Sequence, residues 1–463
     1  MKLAPYPEYK ESGVPWLGKI PSHWALHRGK WLFTKMERPV RPQDEVVTCF
    51  RDGTVTLRKN RRTRGFTESL KEIGYQGIRR GDLVIHQMDG FAGAVGVSDS
   101  DGKGTPVYSV CLPKLNLDTH YYAQLVREMS RSEFITSLAK GIRERSTDFR
   151  FDTFASLVLP VPLPDEQRKI SRFMRNESAQ INKFIRNKRR FIELLKEQKQ
   201  NVINQAVTRG LDPNVKLKPS GVEWIGDIPE HWDARRLKTI AKVVLGKMLK
   251  TSPSKDDQLK PYLRSANIQW FEANLSDVAS MWFSPSEMEQ YRISKNDILV
   301  SEGGEVGRAC IWQDELEECY IQNSVHKVTA GAEVLPLFLL YQFSAFGSKG
   351  AFKAVVNRVS IAHLTREKLV AVFFCKPPIE EQKTILAHIQ AKTTEIDQAI
   401  IRAQREIELM REYRTRLISD VVTGQVDVRN MKCEGGSLNE DEFEDIEEVE
   451  EEIELPEGGE DDE

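Results

Sequence analysis

The sequence has no run of 18 apolar residues, which excludes a conventional membrane-spanning helix. Its first residues, Met1-Lys2-Leu3-Ala4-Pro5-Tyr6, lack an apolar signal core, so a cytoplasmic protein is expected. The six cysteines (49, 111, 310, 319, 375 and 433) include no C-x-x-C pair, which argues against a zinc site or a disulfide frame and for reduced thiols. The eight histidines show no metal-ligand spacing. No G-x-x-x-x-G-K-[ST] phosphate loop occurs, and Gly90, Gly93 and Gly96 do not match a dinucleotide fingerprint. Lys376-Pro377-Pro378-Ile379 lacks both the polar and the aromatic member of an amino-methyltransferase tetrapeptide. Glu302-Gly303-Gly304-Glu305 could be weighed as a metal-dependent nuclease centre, but two glycines between the carboxylates suit a loop after a strand better. These absences lead to the expectation of a non-catalytic chain with no metal and no cofactor of its own.

What is present is repetition. Ser12-Gly13-Val14-Pro15-Trp16-Leu17-Gly18-Lys19-Ile20-Pro21-Ser22-His23-Trp24 returns from Ser220 to Trp232 with nine of thirteen positions identical, an offset of 208. Later pairs hold an offset of 215: Asp82 with Asp297, Glu166 with Glu381, Ile181 with Ile396, Asp212 with Asp427. A period this long is a duplicated domain pair rather than a solenoid, whose units span about 20–50 residues. The expected fold class is α+β: two globular heads joined by two long antiparallel coiled-coil helices, with pseudo-twofold internal duplication.

The helices are expected over about 165–208 and 380–423, each opening after prolines, with Asp165 as an N-cap. Ile181, Ile185, Ile192, Leu195, Val202 and Ala206 form a heptad seam interrupted by Lys188 and Lys199. Ile396, Ile400, Ala403, Ile407, Met410, Leu417 and Val421 repeat it, with Arg414 in place of an apolar residue. Separate packing of each helix on its own head is the plainer alternative. The boundaries that follow are 1–160 for the first head, 161–212 for a central helix, 213–376 for the second head, 377–430 for a distal helix and 431–463 for an acidic tail expected to be disordered.

Net charge hides an asymmetry. Of 69 acidic residues, 17 fall in 434–463, leaving 52 against 67 basic ones in the body, a surplus of about 15. A basic body points to a polyanion, with ordinary solubility charge as the alternative. Arg58, Lys59, Arg61, Arg62 and Arg64 place five cations in seven residues. Arg143 and Arg145 align at offset 215 with Arg358 and Ser360, and Asn357 lies beside them. Lys247 and Lys250 form a further candidate phosphate clamp, and Gln87 and Ser301 follow strands where side chains could reach base edges. For each of these a solvated loop is the competing explanation. His23 and His231 recur within the tryptophan motif and point to a structural role.

These features together resemble the specificity subunits of type I restriction-modification systems. The resemblance rests on the repeated tryptophan motif, on the Pro-rich approach to Glu166-Gln167-Arg168-Lys169-Ile170 and Glu381-Gln382-Lys383-Thr384-Ile385, and on the helix after each. Pro261-Tyr262-Leu263-Arg264-Ser265-Ala266-Asn267-Ile268 and Asn296 to Arg308 look like a common target-recognition domain, which adds Arg264 and Asn267 as candidate contacts. The first head departs from this pattern, and the acidic tail lies outside it. The resemblance implies that each head reads one half of an asymmetric split DNA target. It implies that the helices set the spacing and dock two methyltransferase subunits, and that two restriction-translocase subunits complete the complex. S-adenosylmethionine, ATP and Mg2+ would then act on those other subunits. A coiled-coil scaffold that reads no DNA is the alternative.

Overall fold

A computed structural model describes residues 3–61, 72–138, 149–355 and 363–431. The chain divides into two compact units: residues up to Lys188 together with those from Arg405 onward, and Arg189–Gln404. The first unit is therefore discontinuous in sequence and the second is continuous.

In the first unit a four-stranded antiparallel sheet runs in the order Phe33–Lys35, Tyr108–Pro113, Leu83–His86, Val95–Val97. The Leu83–His86 strand is central, and its first three residues, Leu83, Val84 and Ile85, are all buried, so they run apolar rather than alternating. Asp82 fixes its start by accepting from the Arg79 N–H at 2.8 Å and from the Arg38 guanidinium. The amphipathic helix Thr119–Arg131 begins at Asp118, whose carboxylate accepts from the Tyr121 N–H at 3.0 Å. It packs Tyr121, Tyr122, Leu125 and Val126 into a core shared with Trp24 and Ile170.

The second unit repeats the strand order as Ala241–Leu245, Val325–Ala330, Ile298–Ser301, Ala309–Ile311. Asp297, 215 residues after Asp82, again closes the turn into the central strand by accepting from the Ser294 N–H at 2.8 Å. A second sheet, Ala279–Phe283, Gln258–Leu263, Tyr320–Ile321, is present here, its last pair parallel. The first unit has instead two separate strand pairs, Val47–Cys49 with Val55–Leu57 and Gln76–Ile78 with Gly102–Gly104. The helix Pro336–Ser348 is apolar on nearly all sides and is correspondingly enclosed, from Phe338 to Phe346.

The two long helices span Pro164–Arg209 and Ile379–Val422. The first opens one residue earlier than expected, because Pro164 suits the first helical position, where its missing N–H costs nothing. Asp165 thus lies inside the first turn rather than at the cap. Ile181, Ile185, Ile192, Leu195 and Ala206 are buried as expected, while Ile203 is buried in preference to Val202. The interrupting residues meet polar partners of the other helix. Within the first unit Arg414 donates to Asn182 Oδ1 at 2.8 Å and Lys188 pairs with Glu406 at 2.5 Å. Within the second, Lys199 donates to both carboxylate oxygens of Asp397 at 2.7 and 2.8 Å. No helix of the described residues is long and apolar enough to cross a membrane.

Candidate nucleic-acid interface

Beneath each head the same joint is built. Near the start of the first long helix Glu166 is almost fully enclosed and accepts three hydrogen bonds: from Tyr6 Oη at 2.8 Å, His23 Nε2 at 2.9 Å and Trp24 Nε1 at 3.1 Å. Burial and the adjacent carboxylate push the Tyr6 phenol far above its ordinary range. At the second helix Glu381 accepts from His231 Nε2 at 2.9 Å and Trp232 Nε1 at 3.0 Å. The repeated tryptophan motif and the Glu-Gln dipeptide are therefore two parts of one joint, separated by about 150 residues each time.

The neighbouring glutamine fastens the helix of each head. Gln167 accepts from the Asp118 N–H at 2.9 Å and donates to the Pro162 carbonyl at 2.8 Å. Gln382 accepts from the Leu335 N–H at 2.8 Å and donates to the Glu333 and Pro377 carbonyls, both at 2.9 Å. Both side chains are fully buried, so their amides are satisfied by the chain itself. Tyr6 is the member of this joint that the repeat conceals, since the position 208 residues later is Asn214.

The candidate DNA contacts divide by exposure. Arg58 to Arg61 form a single helical turn after the Val55–Leu57 strand. Lys59 is exposed and paired with Glu45, and Arg58 Nε lies 3.4 Å from Thr48 Oγ1. Arg61 is largely covered, stacked 4.6 Å from the Phe50 ring centre and paired with Asp52. Gln87 turns its amide toward Ser109 Oγ and the Pro106 carbonyl. Lys250 is half-buried against Ser254 and Asp257, and Arg264 is partly exposed against Asp277.

Three candidates lie inside. Lys247 is 6% exposed, paired with Glu287 and set 5.3 Å from the Phe283 ring. Asn267 is 3% exposed; its side chain accepts from the Arg264 N–H at 3.0 Å and donates to the Asn274 and Asp277 carbonyls, both at 2.9 Å. Ser301 is fully buried and donates to the Gly303 carbonyl at 2.7 Å. In this conformation these three shape loops rather than project from them. Arg62, Arg64, Arg143, Arg145, Asn357 and Arg358 lie outside the described residues.

Of the acidic pair after the Ile298–Ser301 strand, Glu305 accepts from Trp270 Nε1 at 2.8 Å, and burial raises Glu302 above the usual carboxylate range. Among the described residues no group of three or more His, Cys, Asp or Glu is gathered as metal ligands.

Residues 229–409 match the family model of the type I restriction modification DNA specificity domain. Two relatives come from Methanocaldococcus jannaschii. The putative type I restriction enzyme MjaX specificity subunit is 21% identical over 89% of this chain and 96% of its own length. The MjaVIII specificity subunit is also 21% identical, over 65% of this chain and 69% of its own. Among solved structures, the HsdS subunit from Thermoanaerobacter tengcongensis aligns with a TM-score of 0.54 at 16% identity, over 90% of this chain and all of that one. A chain from a study of assembly and conformational transition of the type I R-M system aligns at 0.64 and 15% identity, over 88% and 99%. The structural likenesses establish a shared fold. The resemblance read from the repeat and the Glu-Gln helices is borne out.

Proposed function

We propose that this protein, whose residues 229–409 match the family model of the type I restriction modification DNA specificity domain, is the sequence-specificity subunit of such a complex. The observation that carries the reading is one joint built twice beneath two heads with unlike loops. A common mount with divergent working surfaces suits two readers of different half-sites. Each head would read one half of an asymmetric bipartite target. Phosphate contacts would supply affinity and its salt dependence, and base contacts the sequence.

In this reading the long helices pair as an antiparallel coiled coil related by a pseudo-twofold. The buried Ile181, Ile185, Ile396 and Ile407 and the Lys199–Asp397 pair support that pairing. The helices set the gap between half-sites and dock two methyltransferase subunits, with two restriction-translocase subunits completing the assembly. Catalysis belongs to those partners, which would use S-adenosylmethionine, ATP and Mg2+, and the complex works in the cytoplasm. Lys59, Arg58, Lys250 and Arg264 are the candidate contacts nearest the surface. Arg62, Arg64, Arg143, Arg145, Asn357 and Arg358 remain proposed contacts from the sequence.

The test is a methylation map. The chain is expressed with its neighbouring methyltransferase subunit in a methylation-free host, and modified bases are located by single-molecule sequencing. One asymmetric split motif marked on both strands is expected. A soluble, associated pair that marks nothing would favour the scaffold reading. Removing one heptad from each helix shortens it by about 10 Å. The gap should change while both half-sites stay; altered half-site bases would sink the spacer role.

A further inference from the structure

In the first head, two loops meet at the surface. The turn from Phe50 to Gly53 joins the strands Val47–Cys49 and Val55–Leu57, and the hairpin tip 87–94 joins Leu83–His86 to Val95–Val97. Two glycines permit the approach. A Cβ on Gly96 would lie 1.8 Å from the Gly53 carbonyl oxygen. Gly93 has φ of +91°, and a Cβ there would lie 2.8 Å from the Arg51 carbonyl oxygen.

Across this contact Arg51 Nη2 donates to Asp89 Oδ1 at 3.3 Å. Asp89 is itself held in place. Its N–H donates to His86 Nδ1 at 3.0 Å, its carbonyl accepts from the Ala92 N–H at 2.9 Å, and His86 packs against the Tyr108 ring at 5.2 Å. Arg51 nevertheless keeps 64% of its side chain exposed, against 12% for Arg61 nearby. It is thus an arginine held at one edge by a carboxylate and open at the other.

We propose that Arg51 is a base-reading side chain of the first head, and that Asp89 is the residue that positions it; this rests on the reading of the heads as DNA readers. A guanidinium presents a planar fork that matches O6 and N7 of guanine. Holding the fork before binding reduces the freedom it must lose on docking. A partner carboxylate also cancels much of the charge that would make Arg51 a phosphate clamp, while leaving its outward donors available. Arg51 precedes the Arg58–Arg64 run, so base reading and phosphate contact would come from opposite ends of one strand pair.

The experiment uses the full chain with its methyltransferase subunit and compares methylation maps of wild type, Arg51→Ala, Arg51→Lys and Asp89→Ala. Arg51→Ala should relax a single guanine-specific position in one half-site, with a loss of roughly 10–100-fold on the original base. Arg51→Lys should not restore it, since a point charge lacks the fork. Asp89→Ala should relax the same position less, and the other half-site should be untouched in every variant. Uniform weakening over all sequences with the motif unchanged would make Arg51 a phosphate contact and overturn the assignment. Loss of the whole half-site in Asp89→Ala, with a lowered melting temperature, would make Asp89 a fold residue and overturn its positioning role. A wild-type complex that marks no motif would overturn the underlying reading and this assignment with it.

Discussion

Glu166 and Glu381 sit at the same turn of related helices and hold the same histidine–tryptophan pair, yet their surroundings differ. The Glu166 side chain is 4% exposed and takes a third donor from Tyr6; the Glu381 side chain is 30% exposed and has no such donor. Tyr6, upstream of the repeat, supplies the donor that distinguishes the buried joint from the open one. Desolvation makes each remaining hydrogen bond matter more, because an orphaned donor in a dry site recovers nothing from water.

That contrast can be broken directly. Glu166→Ala leaves three donors without their acceptor and should cost about 3–4 kcal/mol, against about 1–2 kcal/mol for Glu381→Ala, where water reaches the gap. Urea unfolding of both variants measures this, and equal losses would contradict the role given to burial. Tyr6→Phe removes one donor while keeping the ring, and should cost about 1 kcal/mol. If instead Tyr6→Phe is neutral, its ring alone seals the joint.

A smaller difference concerns pH. His326 is buried in the second unit, donates from Nε2 to the Leu364 carbonyl at 2.7 Å, and is held below its ordinary value by desolvation. The position 215 residues earlier is Cys111, which does not titrate there; burial pushes its thiol upward. A depressed histidine binds fewer protons folded than unfolded, so its stabilising share is present above the unfolded value, about 6.5, and is lost as pH falls toward the folded value. His326→Gln should flatten the acid-side stability loss between pH 7 and 5, and an unchanged slope would assign that loss to other groups. Smallest of all, Lys199→Ala should cost well under about 1 kcal/mol, since that pair is partly solvated, and the loss should shrink in high salt.

The long helices and the recurrence of Asp82 as Asp297 were legible in the sequence because they rest on short-range pattern and a fixed offset, whereas the strand order around them was not. A heptad and a proline boundary are visible within one window, and the offset of 215 carries each feature into the other half. The working surface was much less legible. Lys247, Asn267 and Ser301 have the residue types of a nucleic-acid contact, but their fate depends on partners such as Glu287 or Asp277 that no local pattern reveals. Arg51 was missed for the converse reason: its orientation comes from Asp89, 38 residues away, across a contact two glycines allow. The Glu166 joint could have been anticipated, since two motifs that recur in step invite the thought that they touch.

The discontinuity of the first unit has a consequence for biosynthesis. Its core includes Leu417, Val421, Val422 and Val428, which leave the ribosome after all 216 residues of Arg189–Gln404. At translation rates of about 5–20 residues per second that interval is on the order of 10–40 s. During it the first head carries an uncovered apolar surface, whereas the second unit has its whole sequence as soon as the interval ends. The half that begins synthesis first is the half that finishes folding last, so chaperone dependence and aggregation under stress should concentrate on the N-terminal head.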